Sequence, residues 1–261
     1  VAQPVEDEDS TFKAKVRIPG YPVKELAGLI FAYLGPDPTP ELPAWEPMVM
    51  EDTLRYIEYG SIACHWVQAQ ENSSDRYHAE WLHGHYSRYA FERRGIPTDD
   101  PQFQSTMRFV DFPTEEYFLD PFKYGHIRRN TNKGGDKTES CWTIGDPLIF
   151  PNMNITSAGV RFTMIWRTPT DDHTTMSWFL HGVYPGEGIK VRSQEHIETV
   201  EIPMFDDQDQ MNNHLTAVQD FMIFFAQGTI VDRTQERLAN SDRGVIVWRQ
   251  SVQQQLEVLE N

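Results

Sequence analysis

A fifteen-residue segment, ENSSDRYHAEWLHGH at positions 71–85, concentrates carboxylates and imidazoles. Among them are the carboxylates Glu71 and Asp75 and the histidines His78, His83 and His85. Histidine and carboxylate side chains bind transition metals. The segment therefore indicates either a metal site or a polar helix face whose titratable groups are unrelated.

The spacing of the two histidines His78 and His83 constrains how one metal could bind both. On a helix spanning residues 67–83, side chains five apart point in directions roughly 140° apart at ~3.6 residues per turn. This differs from the H-E-x-x-H zinc pattern, whose histidines lie four apart on one face. A shared metal requires the helix to unwind near Leu82, and we predict that it ends at Gly84.

A third ligand is offered by Asp220, the sole carboxylate in the apolar run from residue 215 to residue 226. An unpaired carboxylate in such a helix costs several kcal/mol, so it needs a cation, an arginine or a position at the helix rim. Arg233 and Arg243 are the candidate ion-pair partners. Two imidazoles and one carboxylate form the facial triad of non-haem Fe(II) sites.

The elements that must position these side chains indicate an α+β fold. Three aromatic-rich segments between residues 139 and 185 are separated by turn residues, which predicts an antiparallel sheet. Residues 214–228 are too apolar to have a solvent face and end in a glycine, so we predict a buried helix. A last helix starts near Ser241 and Asp242, which are good capping residues.

The N-terminal part is predicted to consist of strands followed by a linker. Phe12, Ala14 and Val16 alternate with polar residues, and the segment LIFAYLG is rich in strand-forming residues. Five prolines between positions 36 and 47 then exclude a regular helix or a strand ladder.

Composition excludes several classes of partner. Asp and Glu number 39 against 23 Lys and Arg, a net charge of -16, which argues against nucleic acid or an anionic membrane as a general partner. The two cysteines, Cys64 and Cys141, are too few for a disulfide framework and favour a reducing cytoplasm. The apolar runs are shorter than the ~20 residues that span a bilayer.

The segment ENSSDRYHAEWLHG resembles the E-N-x-x-D-x-x-H-x-x-x-x-H-G motif of Rieske non-haem iron oxygenase large subunits of the phthalate oxygenase and aromatic O-demethylase type. Three further segments resemble that family in the same order. They are YPVKELAGLIFAYLGP, TPTDDHTT and QDFMIFFAQGTIVDRTQERLANSDRGVI. The resemblance therefore covers essentially all 261 residues.

The resemblance implies that His78, His83 and Asp220 bind a mononuclear Fe(II). It implies that Asp75 links this site to the Rieske cluster of a neighbouring subunit, in a homo-oligomer arranged head to tail, typically a trimer. Glu71 and Asn72 match the motif but receive no metal role. His85 remains an alternative ligand to His83.

One departure concerns the [2Fe-2S] Rieske cluster. The family binds it through C-x-H and C-x-x-H pairs, and this sequence contains neither pair. We expect the cluster ligands to lie before Val1. The resemblance then implies three parts: residues 1–36 as the last strands of a β-rich Rieske domain, 37–48 as a proline-rich linker, and 49–261 as a catalytic domain with a curved antiparallel sheet wrapped by helices in a helix-grip-like arrangement.

The implied activity is O2 activation followed by hydroxylation or O-demethylation of a carboxylated or methoxylated aromatic, with electrons from NAD(P)H through a reductase or ferredoxin. An aromatic cavity at the sheet could hold the substrate. Its candidate lining residues are Phe150, Asn152, Met153, Arg161, Trp166 and Trp178, with Arg161 as the first choice for a carboxylate.

Two other functions use the same residues. A zinc-dependent hydrolase could use the two histidines and Asp220 as ligands, with Asp75 or Glu71 as the base. A non-catalytic domain that binds aromatic ligands could use the metal as a structural clip.

Overall fold

The computed structural model describes residues 4–7 and 9–260. The chain divides into two units, the first ending at Glu51 and the second beginning at Asp52. Among the described residues, no helix has both the length and the hydropathy required to cross a membrane. The assignment of residues 1–36 to a Rieske domain stays a prediction.

The first unit contains a hairpin of two short antiparallel strands, β1 (Val23–Leu26) and β2 (Leu29–Ala32). The two residues that join them, Ala27 and Gly28, both have positive φ, at 54° and 78°. Positive φ at both central positions is the signature of a type I′ turn, whose twist matches that of the flanking strands. The hairpin lies in the segment that resembles the family's last Rieske strands.

Two local predictions for this unit are wrong. Residues 12–15 form a short exposed helix, α1 (Phe12–Lys15), because apolar alternation produces a strand only where one face is buried against a partner. The proline-rich segment also ends in a helical turn, α2 (Glu46–Val49). Its Pro47 occupies the first turn, where the missing N–H leaves no hydrogen bond unmade.

The second unit is built on one sheet whose described strands follow the order β10-β3-β9-β8-β7-β6-β5-β4. The strands are β3 (Leu54–Ile62), β4 (Thr114–Phe122), β5 (Gly125–Asn132), β6 (Asp146–Ile149), β7 (Met153–Ala158), β8 (Arg161–Pro169), β9 (Thr175–Val183) and β10 (Glu198–Glu201). The pair β10–β3 is parallel, and the other described pairs in this sheet are antiparallel. The predicted α+β class with an antiparallel core over residues 139–185 is confirmed.

The helices of this unit occupy the connections. They are α3 (Trp66–Ser74), α4 (Tyr77–Glu80), α5 (Ser87–Arg94), α6 (Pro101–Asp111), α7 (Ser140–Thr143), α8 (Thr216–Ala226) and α9 (Arg243–Glu260). A π-helical turn spans Trp81–Tyr86, between α4 and α5. Single 3-10 turns at Arg233–Gln235 and Asn240–Asp242 precede α9.

Helix α8 packs against the sheet through an apolar stripe that includes Val218, Phe221 and Phe224. The ring of Phe221 lies 2.6 Å from where a Cβ on Gly60 would stand, so the absence of a side chain on β3 allows this close approach. Buried side chains of α3, β3 and β9 complete the same core cluster. The core thus fixes α8 over β3 and β9, towards the β10 edge of the sheet.

The predicted position of α8 is confirmed, and Gly228 follows it with a φ of 85°. The prediction that it lacks a solvent face is wrong, because Ile223 and Phe225 are 37% and 59% exposed. A helix packed on a sheet buries one stripe, and residues ~100° apart cannot all lie on it. Helix α9 begins at Arg243, directly after the predicted capping residues.

Candidate metal centre

The segment that carries the histidines is interrupted at Asp75. Helix α3 ends at Ser74, and Asp75 itself is extended, with φ −90° and ψ 125°. Its carboxylate accepts hydrogen bonds from the backbone N–H groups of Tyr77 (2.8 Å) and His78 (3.3 Å). Residues 67–83, considered above as a single helix, are therefore not one continuous helix, because an Asp side chain that bonds the following backbone competes with helical hydrogen bonding.

The predicted helix end at Gly84 is also wrong. The helix widens into the π turn and continues through α5 to Gly95, whose φ of 68° terminates it. The i→i+5 bonding of a π turn shifts residues five apart toward one face, and the His78 and His83 ring centroids lie 5.0 Å apart. Gly84 has another role, since a Cβ there would stand 2.9 Å from Val110 of α6.

His78, His83 and Asp220 come together. Each offers one ligand atom, and these atoms lie within 4.8 Å of one another; no second cluster of this kind occurs among residues 4–7 and 9–260. Asp220 Oδ1 lies 3.3 Å from His83 Nε2 and 3.9 Å from His78 Nε2. Ligand atoms that share a metal at about 2.1 Å lie about 3 to 4 Å apart. The donor set and the two distances from Asp220 therefore fit a divalent transition metal.

Two residues that the sequence left open as partners in this cluster, His85 and Arg233, make other contacts. His85 packs its ring against Trp81 at 4.8 Å and is not part of the cluster. Arg233, a candidate ion-pair partner of Asp220, instead bonds Glu71 and Glu236. Asp220 therefore faces the two imidazoles.

The electrostatics of the cluster are dominated by Asp220 and His83. Burial alone would raise the pKa of Asp220, but His83, His78 and Arg167 hold it at about 2. Burial would lower the pKa of His83, yet the neighbouring Asp220 carboxylate raises it above its usual value. Each group therefore favours the charged form of the other, and a metal that binds Nε2 of His83 competes with a proton there.

Asp75 lies on the other side of His78. Its Oδ2 atom is 3.6 Å from His78 Nδ1, just beyond hydrogen-bonding distance. Burial favours a higher pKa for Asp75, but the contact with His78 and two backbone N–H groups lower it. The carboxylate is thus ionised and adjacent to a nitrogen that faces away from the cluster.

Sequence reasoning missed two polar contacts to the cluster. Gln219, which precedes Asp220 on α8, places Oε1 2.8 Å from His83 Nδ1. Asn72, to which no metal role was assigned, donates from Nδ2 to Asp220 Oδ1 at 3.2 Å. Two features of the sequence could have indicated these contacts. Gln219 is a second polar residue in the apolar helix, and Asn72 matches the motif.

A buried arginine near Asp220 was also missed. Arg167 of β8 is 1% exposed and lies 5.2 Å from the Phe179 ring centroid and 5.8 Å from that of Phe224. Within the described chain, its Nε and Nη1 atoms have no hydrogen-bond partner. Burial lowers its pKa to about 10, opposed by Asp220 and Cys64. The guanidinium is therefore a buried positive charge in the field of Asp220.

Three of the proposed substrate-lining residues share one sheet face. The other face of the sheet is turned toward α8. It carries Arg167, Ser177 and Gly60, which are in register on three adjacent strands, and Gly60 lies against Phe221 of α8. Side chains alternate along a strand, so Trp166 and Trp178, each next to one of these residues, point away from α8. Met153 pairs with Trp166 and lies on the same face, and Trp178 stacks on Tyr59 with ring centroids 5.2 Å apart.

The other three candidates are scattered. Asn152 donates from Nδ2 to the Arg167 carbonyl at 3.0 Å, and Phe150 packs edge-on against His126 at 5.7 Å. Arg161 is exposed, about 20 Å along β8 from Arg167 at ~3.3 Å per residue. The assignment of these six side chains to a substrate pocket stays a prediction.

Comparison with known proteins agrees with the motifs. No family model matches the chain. The chain is 38% identical over 260 residues to the 5,5'-dehydrodivanillate O-demethylase oxygenase subunit of Sphingobium sp., covering 98% of this chain and 57% of the relative. It is 26% identical to the phenoxybenzoate dioxygenase subunit alpha of Ectopseudomonas oleovorans, covering 99% of this chain and 62% of that protein. The chain is therefore similar, over nearly its whole length, to the oxygenase subunits of an aromatic O-demethylase and of a dioxygenase.

A solved structure supports the fold described above. The terminal oxygenase of carbazole 1,9a-dioxygenase from Nocardioides aromaticivorans superposes with a TM-score of 0.57 at 13% identity, over 92% of this chain and 69% of that one. The chain spans less than two thirds of the length of the two sequence relatives. The C-x-H and C-x-x-H pairs that hold a Rieske cluster are absent from these 261 residues, which therefore do not fit that group.

Proposed function

We propose that this chain is the iron-binding part of a terminal oxygenase subunit that hydroxylates or O-demethylates an aromatic substrate. The observation that carries the proposal is the convergence of His78, His83 and Asp220 from two distant helical segments. The two sequence relatives are named as oxygenase subunits, which supports an oxygenase over a zinc-dependent hydrolase with the same ligands.

The residues present fit Fe(II), held by Nε2 of His78, Nε2 of His83 and the carboxylate of Asp220. Iron held there would supply reductive activation of O2. The chain's own groups hold the site ready: Asp220 is ionised, and Asn72 donates to its Oδ1 atom. The buried Arg167 partly offsets the negative charge of Asp220.

We assign Asp75 to the orientation of His78, because its carboxylate lies beside Nδ1 of that ring. The family resemblance adds a link to the Rieske cluster of a neighbouring subunit in a head-to-tail trimer. The cluster ligands are absent from these residues, so the proposed role of Asp75 is limited to its contact with His78.

The proposed substrate is an aromatic carboxylate, methoxylated in the case of demethylation. The names of the two relatives, which refer to dehydrodivanillate and phenoxybenzoate, support this class. Electrons would come from NAD(P)H through a reductase or ferredoxin. We propose a homo-oligomer in the cytoplasm as the working form.

Product analysis tests the proposal. The subunit that contains this chain is reconstituted with Fe(II), a reductase and NADH, and a panel of methoxylated and carboxylated aromatics is supplied. We expect substrate-dependent O2 uptake, with formaldehyde released from a methoxylated substrate. The Asp220→Asn variant, which lacks the carboxylate ligand, serves as the inactive control. Purification with zinc and no iron, together with hydrolysis instead of O2 uptake, would contradict the proposal.

A further inference from the structure

Two consecutive residues of α8 contact opposite nitrogens of one imidazole. Asp220 Oδ1 lies 3.3 Å from Nε2 of His83, and Gln219 Oε1 lies 2.8 Å from Nδ1 of the same ring. Both nitrogens of His83 are thus set by adjacent positions on a single helix.

The orientation of the Gln219 amide follows from its other contacts. Its Nε2 atom donates to the carbonyl oxygen of Asn213 at 2.9 Å and to Ser87 Oγ at 2.7 Å. A carbonyl oxygen accepts and never donates, so the NH2 group must face Asn213. The amide oxygen must then face His83, and since it only accepts, Nδ1 of His83 must carry a proton.

This assignment leaves Nε2 of His83 as the nitrogen directed at Asp220 and His78, where a metal would bind. The contact is shielded from water, because Gln219 is 0% exposed and His83 is buried. A buried amide bonded at both ends resists reorientation, since flipping it would place its NH2 group against Nδ1–H and its oxygen against a carbonyl.

The second histidine lacks an equivalent contact. Within the described residues, Nδ1 of His78 has no hydrogen-bond partner, and Asp75 Oδ2 stays 3.6 Å away. Of the two imidazoles, therefore, His83 is held by a fully bonded neighbour and His78 is not. The two histidines therefore differ in how closely their outer nitrogens are bonded.

We infer that Gln219 is a positioning residue that holds His83 with Nδ1 protonated and Nε2 directed at the metal before the metal binds. This inference rests on the proposed metal site and adds a residue to it. Groups that bond the outer nitrogen of a ligand histidine typically change metal affinity ~10- to 100-fold when removed.

Metal titration of variants tests the inference. Gln219→Met removes the acceptor with little change in shape. Gln70→Met is the matched control, because Gln70 is an equally buried glutamine whose amide donates to the Met153 carbonyl. We expect Co(II) to bind Gln219→Met about 10- to 100-fold more weakly than wild type, and to bind Gln70→Met within about threefold of wild type.

A spectroscopic readout separates positioning from general destabilisation. In Zn(II)-loaded protein with 15N-labelled histidine, the Nδ1–H proton of His83 should resonate downfield and exchange slowly with water. In Gln219→Met it should move upfield and exchange faster, whereas Gln70→Met should leave it unchanged.

The outcomes distinguish the two proposals. Failure of the wild-type protein to bind Co(II) or Fe(II) would overturn the metal site and the inference with it. Normal wild-type binding with unchanged affinity in Gln219→Met would overturn the inference alone. If Gln219→Met does not fold, the wild-type spectrum decides: a rapidly exchanging Nδ1–H proton on His83 would exclude the bond to Gln219.

Discussion

Nε2 of His83, on the π turn, lies 3.3 Å from Oδ1 of Asp220, on α8, and this contact joins the two halves of the candidate iron site. The first half is contributed by the motif segment and the second by an apolar helix packed on the sheet. The packing of the π turn against α8 places one imidazole and one carboxylate at this distance. The first four predictions below follow from the charges around this contact.

The first prediction concerns Asp220→Asn. The variant keeps the shape of the side chain but removes the charge that pairs with His83 and binds the metal. We expect iron content after anaerobic reconstitution to fall at least about tenfold, which corresponds to about 1.4 kcal/mol. Asp232→Asn is the control, because Asp232 contacts Thr234 in the turn before α9 and not the cluster. Equal iron content in both variants would rule out Asp220 as a ligand.

The second prediction concerns the pH dependence of metal binding. Asp220 raises the pKa of His83, so the imidazole stays protonated to a pH above its usual value of about 6.5. A metal binds the neutral ring, and the apparent affinity should therefore fall as the pH drops through this raised pKa. Co(II) titrations between pH 6 and 9 would measure the slope. An affinity that is flat across this range would contradict the ion pair.

The same pKa shift makes the stability of the metal-free protein fall as the pH rises, whereas the metal affinity rises with pH. A histidine whose pKa is raised by folding contributes stability that is complete below the unfolded pKa, about 6.5, and is lost as the pH rises through the folded value. We expect the metal-free protein to become less stable above neutral pH. Urea unfolding with and without His83→Gln isolates this component, since the variant should lose the pH dependence. Identical profiles would show that the His83–Asp220 contact is not an ion pair.

The fourth prediction concerns Arg167. Its buried positive charge near Asp220 opposes a second cation, so Arg167→Met should bind Co(II) more tightly, by about tenfold or about 1.4 kcal/mol. Arg167→Lys, which keeps the charge, is the matched control and should resemble wild type. Equal affinities for the two variants would show that the guanidinium acts by packing on Phe179 and Phe224 alone.

The fifth prediction concerns the ion-pair network behind α3. Glu71 is 9% exposed and accepts from Arg249 at 2.7 and 2.9 Å and from Arg233 at 2.9 and 3.1 Å. Breaking a buried ion pair on one side leaves uncompensated charge, so Glu71→Gln should lower the free energy of unfolding by about 3 kcal/mol.

Urea unfolding measures this effect, with Glu92→Gln as the matched control. Glu92 pairs with Arg88 on the exposed surface of α5, where such pairs contribute about 0.3–0.5 kcal/mol. A Glu71→Gln loss no larger than that of the control would mean that the network is not a stabilising link between α3, the 3-10 turn and α9.

The amino-acid sequence by itself identified the three converging residues. A single carboxylate in an apolar helix needs a partner that compensates its charge, and this marked Asp220. The motif segment contains two histidines, His78 and His83, which can bind a metal together with that carboxylate. The apolar periodicity likewise predicted the sheet and α8, because burial follows from local pattern. These conclusions required no knowledge of which segments touch.

The tertiary structure alone decided how the histidines meet and what surrounds them. The break at Asp75 and the π turn replace the expected uniform helix, and Gly84 serves the close packing of α6 and not a helix end. The contact of Gln219 with His83 joins residues far apart in the chain. Such features depend on long-range packing and on which buried polar atoms find partners, and local spacing carries no information about either.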